Sequence, residues 1–419
     1  MRILFVTPSL PYPADQGSKL RSLALIRAAA EHHQVDLVSF SNESARSQSI
    51  EEADRSNGST GADEEIDELR RLCREIRVVP LPDSRGILRR SWAIFFDQLP
   101  DLAHRLESGA FATEMQELLQ QTQYDVIQLE GLEMMPFLGV ARGLGGRAAI
   151  IYDAHNAEMY LQRTMFQAEF RDVRRWHAGL YSMSQWSKLG TYERIMMNET
   201  DMVLAVSDID VGKLRGRHVE PELVPNGVDT SAITYREPGD SHTGTMVFIG
   251  SLDYRPNADA VRWFARSILP LVRARIPTAK LRLVGKGSDR IQADGVEAVG
   301  YVDDLAAEIA SADVAVIPMR MGSGVRFKAL EAMAAGVPVV STTLGISGIA
   351  ADHERHALIA DGPAPFADAV VRLLEDRSLA RQLALYARRL VEGRYDWNRI
   401  TPGYLRLLTT ARRARRQTG

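Results

Sequence analysis

Residues 314–342 read VAVIPMRMGSGVRFKALEAMAAGVPVVST. An apolar run, VAVIPM, precedes a glycine loop, an alanine-rich helical segment and a second apolar run, VPVVST. Gly336 ends the helical pattern, because glycine readily adopts the left-handed conformation that closes a helix. The order strand, loop, helix, strand predicts a βαβ unit in a parallel sheet with helices on both faces.

The same alternation runs through the whole chain in two series. The predicted strands of the first series are 3–6, 35–40, 76–81, 125–130, 148–154 and 202–207. Those of the second series are 245–250, 280–285, 296–302, 314–319 and 337–342. We therefore predict an α/β fold with two Rossmann-like, doubly wound domains. The N-terminal domain spans 1–215, a proline- and glycine-rich linker 216–243, the C-terminal domain 244–390, and a helix crossing back to the first domain 391–419.

Composition narrows the functional classes. The chain has 419 residues, of which 45% are hydrophobic and 25% charged, as is typical of globular proteins. Its 51 basic and 54 acidic residues give a net charge of −3, so the basic excess of a nucleic-acid-binding protein is missing and we expect no nucleic-acid partner. Cys73 is the single cysteine, which excludes an internal disulfide and fits a reducing compartment.

The lengths of the apolar segments indicate where in the cell the protein is located. The first apolar run, 3–6, is too short for a signal peptide, and no segment approaches the roughly 18 apolar residues of a spanning helix. We expect a cytoplasmic protein, either soluble or in peripheral contact with the inner membrane face. Two stretches mixing arginine with aromatics, 85–96 and 170–186, are typical of membrane surfaces, of acceptor walls or of ordinary helices, and we prefer ordinary helices.

Charged residues gather at the start of the helix in the opening stretch. Ligands of parallel sheets bind beyond the carboxyl ends of the strands, and a helix N-terminus attracts phosphate oxygens. Arg326 and Lys328 add positive charge there, and Glu331 lies three residues after Lys328 on the same helix face. The pattern predicts a phosphate site in which Glu331 accepts hydrogen bonds from a sugar hydroxyl. A well-capped helix with a surface Lys–Glu pair is the alternative.

The stretch 314–342 resembles glycosyltransferase family 4. Four further segments share this resemblance: VPNGVD (224–229), VFIGSLDYRPN (247–257), LVGKG (283–287) and GYVDDL (300–305). The resemblance implies a GT-B fold, two Rossmann-like domains facing a cleft, and retaining sugar transfer from a nucleotide-diphosphate donor. It implies neither a metal nor a cofactor beyond the nucleotide sugar. The implied donor-binding residues, with Glu331 on the ribose, are Gly250, Ser251, Gly285, Val302, Gly322, Ser323, Gly324, Val325 and Glu331.

Two departures from the family pattern concern charge. The family's E-x7-E motif would place its first glutamate at Ser323, so that carboxylate is missing. Many relatives also carry Arg and Lys just after the first strand of the second domain, where this chain has Ser251 and Asn257. We infer that Arg326 and Lys328 replace this positive charge, face the diphosphate and act in catalysis.

The first domain offers YDAHNAE (152–158) at the carboxyl end of a predicted strand. The resemblance implies that a histidine near here lines the donor sugar and the acceptor, so His155 is the catalytic candidate of this domain. A neutral imidazole can orient an acceptor hydroxyl or bond the donor sugar. Asp153 either holds the ring or caps the turn, and Asn156 is assigned to the acceptor cleft.

Three further residues are assigned to the acceptor side. Gly17 and Ser18 open a helix after the first strand, with Ser18 as the predicted N-cap, and the family often has a glycine-rich turn there. Glu130 ends a strand and is assigned to the cleft wall. Lys19 and Arg21 are interpreted as solvated residues of the helix surface.

Other signals carry less weight. Asp208-Ile209-Asp210 has the D-x-D form of metal-dependent sugar transferases, but it follows Ser207 and is better explained as an acidic helix start.

The expected partners are a nucleotide-sugar donor and a sugar, lipid-linked or small-molecule acceptor. The alternatives are a nucleotide-sugar epimerase, a phosphorylase or a non-catalytic nucleotide-sugar binding protein. A dehydrogenase is disfavoured because no G-x-G-x-x-G follows an early strand.

Overall fold

The computed structural model of the chain describes residues 1–41, 61–82, 97, 99–170, 176–216, 219–240, 242–302, 304–322 and 325–418. The chain divides into two compact units. Unit 1 comprises Met1–Val224 and Thr401–Gly419, and unit 2 comprises Pro225–Ile400. Among the described residues, no helix combines the length and the apolar character needed to cross a bilayer.

Unit 1 is built on a seven-stranded parallel sheet with the order β3-β2-β1-β4-β5-β6-β7. Its strands are β1 (Arg2–Thr7), β2 (Gln34–Ser41), β3 (Glu75–Pro80), β4 (Val126–Glu130), β5 (Ala149–Ala154), β6 (Met202–Ala205) and β7 (Glu222–Leu223). Its described helices are α1 (Gly17–Ala30), α2 (Gly61–Arg70), α3 (Gly109–Gln121), α4 (Leu138–Leu144), α5 (Glu158–Phe170), α6 (Trp176–Asn198) and α7 (Asp208–Leu214). Apart from the exposed Arg2, every residue of β1 and β5 is buried and most are apolar, as a sheet covered on both faces requires.

Unit 2 is built on a six-stranded parallel sheet with the order β10-β9-β8-β11-β12-β13. Its strands are β8 (Thr245–Ile249), β9 (Lys280–Val284), β10 (Val296–Gly300), β11 (Val314–Ile317), β12 (Val339–Ser341) and β13 (Leu358–Ile359). Its helices in the described part are α8 (Arg255–Trp263), α9 (Leu269–Arg273), α10 (Leu305–Ala310), α11 (Phe327–Ala335), α12 (Pro363–Glu375) and α13 (Arg377–Arg394). A π-helical turn, Phe264–Ile268, joins α8 to α9.

The last helix, α14 (Trp397–Thr418), begins in unit 2 and continues in unit 1. All eleven predicted strands are present, and the predicted end of α11 is confirmed: Gly336 closes it in the left-handed conformation with φ 82°. The strands β7 and β13 were not predicted. Each has only two residues, too few to show a period.

The predicted domain bounds differ from the structural division. The proposed linker, 216–243, is not a free segment, because β7 pairs with β6 and the residues after Val224 bond to unit 2. The Val228 N–H donates to Tyr395 O at 2.8 Å, and Arg388 Nη1 donates to Ile233 O at 2.9 Å. The bond at Tyr395 also keeps residues 391–400 in unit 2, so the chain leaves this unit at Ile400 rather than at 390.

Some predictions fall on residues that the structure does not describe. Ser323 and Gly324 of the glycine loop lie outside the described residues, as does the arginine- and aromatic-containing stretch 85–96. The described parts of 170–186 belong to α5 and α6 and are helical. At the acidic D-x-D segment, Ser207 caps α7 by accepting from the Asp210 N–H, which confirms the predicted helix start.

Candidate functional site

Two glycine turns meet at the carboxyl ends of β8 and β9 in unit 2. Gly250 and Gly285 have φ of 138° and 132°, conformations that side-chain-bearing residues rarely adopt. A Cβ on Gly285 would lie 2.7 Å from the carbonyl carbon and oxygen of Gly250 and 3.1 Å from the Ser251 nitrogen. The Gly285 N–H also donates to Gly300 O at 2.6 Å, two residues before Val302. Glycine therefore lets these turns pack backbone against backbone, and the predicted donor residues Gly250, Ser251 and Gly285 are in one place.

Lys328 reaches this same turn from the first full turn of α11. Its Nζ donates to Asn257 Oδ1 at 2.8 Å and lies 4.1 Å from the centre of the Phe248 ring. Asn257 in turn donates from Nδ2 to Ser251 O at 2.8 Å. A Cβ on Gly250 would lie 2.9 Å from Lys328 Nζ. The ammonium group is thus held beside the Gly250–Ser251 turn by the amide of Asn257.

Arg326 is the N-cap residue of α11, and its side chain makes no cap hydrogen bond. The residue is only 9% exposed, and its guanidinium packs against Gly322, where φ is 130° and a Cβ would collide with Nη2. Val325 beside it is also buried. The helix start, Arg326 and Lys328 therefore put positive charge at the carboxyl edge of the sheet.

The pKa values of Lys328 and Glu331 are both displaced toward neutrality. The pKa of Lys328 is lowered to about 7, first by burial and then by the charge of Arg326, while Glu331 opposes the shift. Burial raises the pKa of Glu331 to about 7, against the pull of Lys328. An ammonium that loses its charge so easily when buried gains much from a nearby anion. The alternative, a surface Lys–Glu pair, is therefore disfavoured, since both residues are half-buried.

Arg21 and Asp153 form a buried ion pair in unit 1, at the carboxyl end of β5. Arg21, on α1, donates from Nε and Nη2 to the two oxygens of Asp153 at 2.7 Å each, and from Nη1 to Val224 O at 2.8 Å. The side chains of Arg21 and Asp153 are 1% and 0% exposed. Burial lowers the pKa of Arg21, but the charge and hydrogen bonds of Asp153 outweigh it, so the pKa is raised. The interpretation of Arg21 as a solvated surface residue is wrong.

Glu130, rather than Asp153, holds the ring of His155. Glu130 Oε2 lies 2.9 Å from His155 Nε2 and accepts from Ser22 Oγ at 2.8 Å, whereas Asp153 Oδ2 is 3.8 Å from Nε2. Burial lowers the pKa of His155, but the hydrogen bond and charge of Glu130, then Asp153, outweigh it and the net pKa is raised. Glu130 is fully buried, so its predicted place on the cleft wall is wrong.

The other acceptor-side candidates lie near this group. Asn156 donates from Nδ2 to Glu158 Oε1 at 3.2 Å. The pKa of Glu158 is raised to about 8, first by burial and then by the charges of Glu133 and Glu193. Gly17 is the first residue of α1 and half-buried Ser18 the second. Gln16 is therefore the N-cap, and the predicted cap at Ser18 is wrong because the helix starts at Gly17, two residues earlier than a cap at Ser18 implies.

Glu130, Asp153 and His155 also bring their ligand atoms within 4.8 Å of one another, as a metal site does. Their lone pairs are already engaged, since both Asp153 oxygens accept from Arg21 and Glu130 accepts from Ser22 and Gln128. The Arg21 guanidinium takes the position of a cation against Asp153. This donor set is therefore better described as an ion-pair network than as a metal centre.

Comparison with known proteins identifies the family. The model described as Glycosyltransferase Family 4 matches residues 16–232, more than half of the chain, and that of Glycosyl transferases group 1 matches residues 243–376. The chain belongs to glycosyltransferase family 4. The resemblance seen in the sequence is thereby confirmed.

The relatives that this chain matches differ in how much of it they cover. An uncharacterized 44.6 kDa protein of the Klebsiella pneumoniae cps region is 21% identical over 413 residues, or 95% of this chain and 97% of that protein. A phosphatidyl-myo-inositol mannosyltransferase of Mycolicibacterium smegmatis is 31% identical over 204 residues, or 45% of this chain. The aligned part spans about half (51%) of the mannosyltransferase's length.

Solved structures confirm the fold. Sucrose-phosphate synthase of Thermosynechococcus elongatus superposes with a TM-score of 0.69 at 19% identity, covering 99% of this chain and 100% of that one. HepE of Anabaena, in complex with UDP, superposes with a TM-score of 0.62 at 15% identity, covering 98% and 100%. At these identities the likeness shows the fold alone, and the predicted GT-B fold of two Rossmann-like domains is confirmed.

The Arg21–Asp153 pair generates a stability prediction. We expect Asp153→Leu to lower the melting temperature by roughly 6–20 °C, because an uncompensated buried charge costs about 3–5 kcal/mol. The double variant Arg21→Met, Asp153→Leu should recover most of this loss, since neither charge of the pair is then left buried without its partner. Differential scanning calorimetry of the single and double variants measures both effects.

The matched control is Glu68→Leu, which breaks the exposed Arg27–Glu68 pair of the same unit. Exposed pairs contribute at most about 1 kcal/mol, so this variant should melt within a few degrees of the parent. An Asp153→Leu protein that melts no lower than Glu68→Leu would contradict the buried-pair description.

Proposed function

We propose that the chain is a retaining, metal-independent glycosyltransferase that moves a sugar from a nucleotide-diphosphate donor to an acceptor hydroxyl. Membership of family 4 supports nucleotide-sugar transfer and disfavours the epimerase, phosphorylase and binding-protein alternatives. The observation that carries the proposal is the cationic corner of unit 2, where Lys328 stands beside the Gly250–Ser251 turn and Arg326 beside Gly322. A diphosphate is the group that such a corner binds best.

The donor residues act on the leaving group. As the bond between the anomeric carbon and the donor phosphate breaks, negative charge grows on the departing diphosphate. Lys328, Arg326 and the N–H groups at the start of α11 stabilise that charge because they are already oriented toward it. Glu331, one turn into α11, accepts hydrogen bonds from the ribose hydroxyls of the nucleotide.

The transfer step needs no protein nucleophile. The acceptor oxygen bonds to the anomeric carbon on the face that the diphosphate leaves, and a donor phosphate oxygen takes the proton of the acceptor hydroxyl. Atoms and charge balance without a metal or a further cofactor, and the anomeric configuration is retained. His155 orients the acceptor hydroxyl. Similarity to a phosphatidyl-myo-inositol mannosyltransferase supports including lipid-linked acceptors, reached at the inner membrane face, beside sugar and small-molecule acceptors.

A donor and acceptor panel tests the proposed activity. We expect acceptor-dependent release of nucleoside diphosphate from one of the uridine, guanosine or thymidine diphosphate sugars, undiminished by a chelator. Proton NMR of the product should show the donor's anomeric configuration. An inverted product contradicts the retaining mechanism, and loss of turnover with the chelator contradicts metal independence. A sugar nucleotide epimerised at C2, or saturable binding without turnover, indicates one of the alternatives.

Variants of the cationic corner test the donor site. We expect Lys328→Gln and Arg326→Gln each to weaken nucleoside-diphosphate binding about 10- to 100-fold, since a hydrogen bond to a charged group contributes about 1.5–3 kcal/mol. Isothermal titration calorimetry measures the dissociation constants. Lys280→Gln, at the opposite end of β9, removes the same charge from an exposed position and is the control. Parent-like affinity in both site variants would refute the assignment.

The pKa values of the corner predict a pH dependence of binding. Near pH 7 about half of the Lys328 amines carry a proton, and a bound diphosphate favours the charged form. Affinity should therefore be highest at pH 7 or below and should fall, by up to about tenfold per unit, as pH rises from 7 to 9. Glu331 ionises over the same range and adds a negative charge, which strengthens the decline.

Two conservative variants separate these contributions in the same calorimetric titration. Lys328→Arg keeps its charge at every pH and should flatten most of the decline. Glu331→Gln should remove only the smaller part of the decline in affinity with rising pH. If Lys328→Arg retained the full slope of the parent, titration of Lys328 would not be its cause.

A further inference from the structure

A buried chain of hydrogen bonds connects the last helix to His155 within unit 1. Tyr404, on α14, donates from its hydroxyl to Gln128 Oε1 at 2.8 Å. Gln128 donates from Nε2 to Glu130 Oε1 at 2.7 Å. The other oxygen of Glu130 is the partner of His155 Nε2 at 2.9 Å. The side chains of Tyr404, Gln128 and Glu130 are all 0% exposed, so water does not compete for these bonds.

The chemistry of the groups sets the direction of each bond. An ionised carboxylate only accepts, so the Gln128 amide must turn its NH2 group toward Glu130. The amide oxygen then faces Tyr404, and the phenol must donate. Glu130 Oε2 accepts from the Ser22 hydroxyl at 2.8 Å and therefore also from His155, whose proton must lie on Nε2. Reversing any one bond would leave two donors or two acceptors facing each other.

We propose that Tyr404 and Gln128 are positioning residues that orient the Glu130 carboxylate and, through it, fix His155 with Nε2–H inward and Nδ1 toward the acceptor hydroxyl. This inference rests on the proposed function of His155. Nδ1 lies on the side of Gly131, where a Cβ would be 3.6 Å from Nδ1 and 3.6 Å from Glu133 Cδ. In the neutral ring Nδ1 is a hydrogen-bond acceptor, so it can hold the incoming hydroxyl until the donor phosphate oxygen takes its proton.

The position of Gln128 supports a role beyond packing. It lies in the middle of β4, VIQLE, a strand buried along its whole length in a sheet whose interior favours apolar side chains. An aliphatic residue there and a phenylalanine at 404 would fill the same space without polar groups that need partners. A fully satisfied polar network in a core specifies one arrangement of its members, and the member at its end is His155.

Several charged groups of the described residues lie around the His155 ring. Glu130 and Asp153 face Nε2, Arg21 lies behind Asp153, and Glu133 lies on the Nδ1 side. Glu130 contributes most to raising the pKa of His155 against the effect of burial. Loosening the Glu130 carboxylate should therefore lower the pKa of His155. The pKa of the His155 ring thus reports directly on whether the hydrogen-bond chain is intact.

Nitrogen-15 NMR of the full chain with labelled histidine tests the proposal. The chain has 9 histidines, and the His155 signals are assigned from their loss in His155→Ala. In the parent we expect the Nε2–H tautomer and a pKa above the ordinary 6.5. Glu130→Gln should lower the pKa by about 1–3 units, and Tyr404→Phe and Gln128→Leu should lower it by smaller amounts and mix the tautomers.

Tyr192→Phe is the matched control, because Tyr192 is a buried tyrosine of the same unit outside the chain of bonds. Tyr404→Phe should also lower kcat several-fold with donor affinity unchanged, and should shift the pH–rate profile in the same direction as the NMR titration. A His155 pKa and tautomer in Tyr404→Phe and Gln128→Leu that match Tyr192→Phe would overturn the proposal. Because the NMR readout needs no substrate, a parent that transfers no sugar would refute the proposed function alone.

Discussion

The constraint on which both sites depend is that every paired strand of the two sheets runs parallel. The carboxyl ends of parallel strands all lie at one edge of the sheet, where a strand is followed by a loop and the start of a helix. In unit 2 this edge collects the turns after β8 and β9 and the start of α11. In unit 1 it collects Glu130, Asp153 and the residues that follow them. Residues far apart in sequence thus become neighbours.

The two edges differ in charge, and the difference matches the chemistry proposed for each. Unit 2 presents a lysine and an arginine beside glycine turns, with one carboxyl group a helical turn away. Unit 1 presents carboxylates whose charge is balanced by Arg21 and shared with His155. A leaving diphosphate needs cations, whereas an acceptor hydroxyl needs an oriented hydrogen-bond acceptor. Each side of the reaction therefore has a different electrostatic environment.

Local patterns explain which parts of the fold could be predicted from the sequence. The apolar runs, the glycine stop of α11 and the acidic start of α7 each follow from residues close together in the chain. Arg21 could not be recognised in this way, since its position in α1 resembles a surface site and its partner Asp153 lies 132 residues away. The same holds for Gln128 and Tyr404, 276 residues apart. A polar residue inside an apolar strand, such as Gln128, was the one local signal available.

The missing basic residues after the first strand of unit 2 have a structural counterpart. Family members often carry Arg and Lys there, whereas this chain has Ser251 and Asn257. Asn257 is 7% exposed and divides its amide between Ser251 O and Lys328 Nζ, both at 2.8 Å. The Asn257 amide thus holds the Lys328 ammonium group, which comes from α11, at the turn where family members often carry Arg and Lys. Because Asn257 is neutral, the charge at the turn comes from a residue whose pKa is about 7, and a diphosphate that bound there would also decide its protonation.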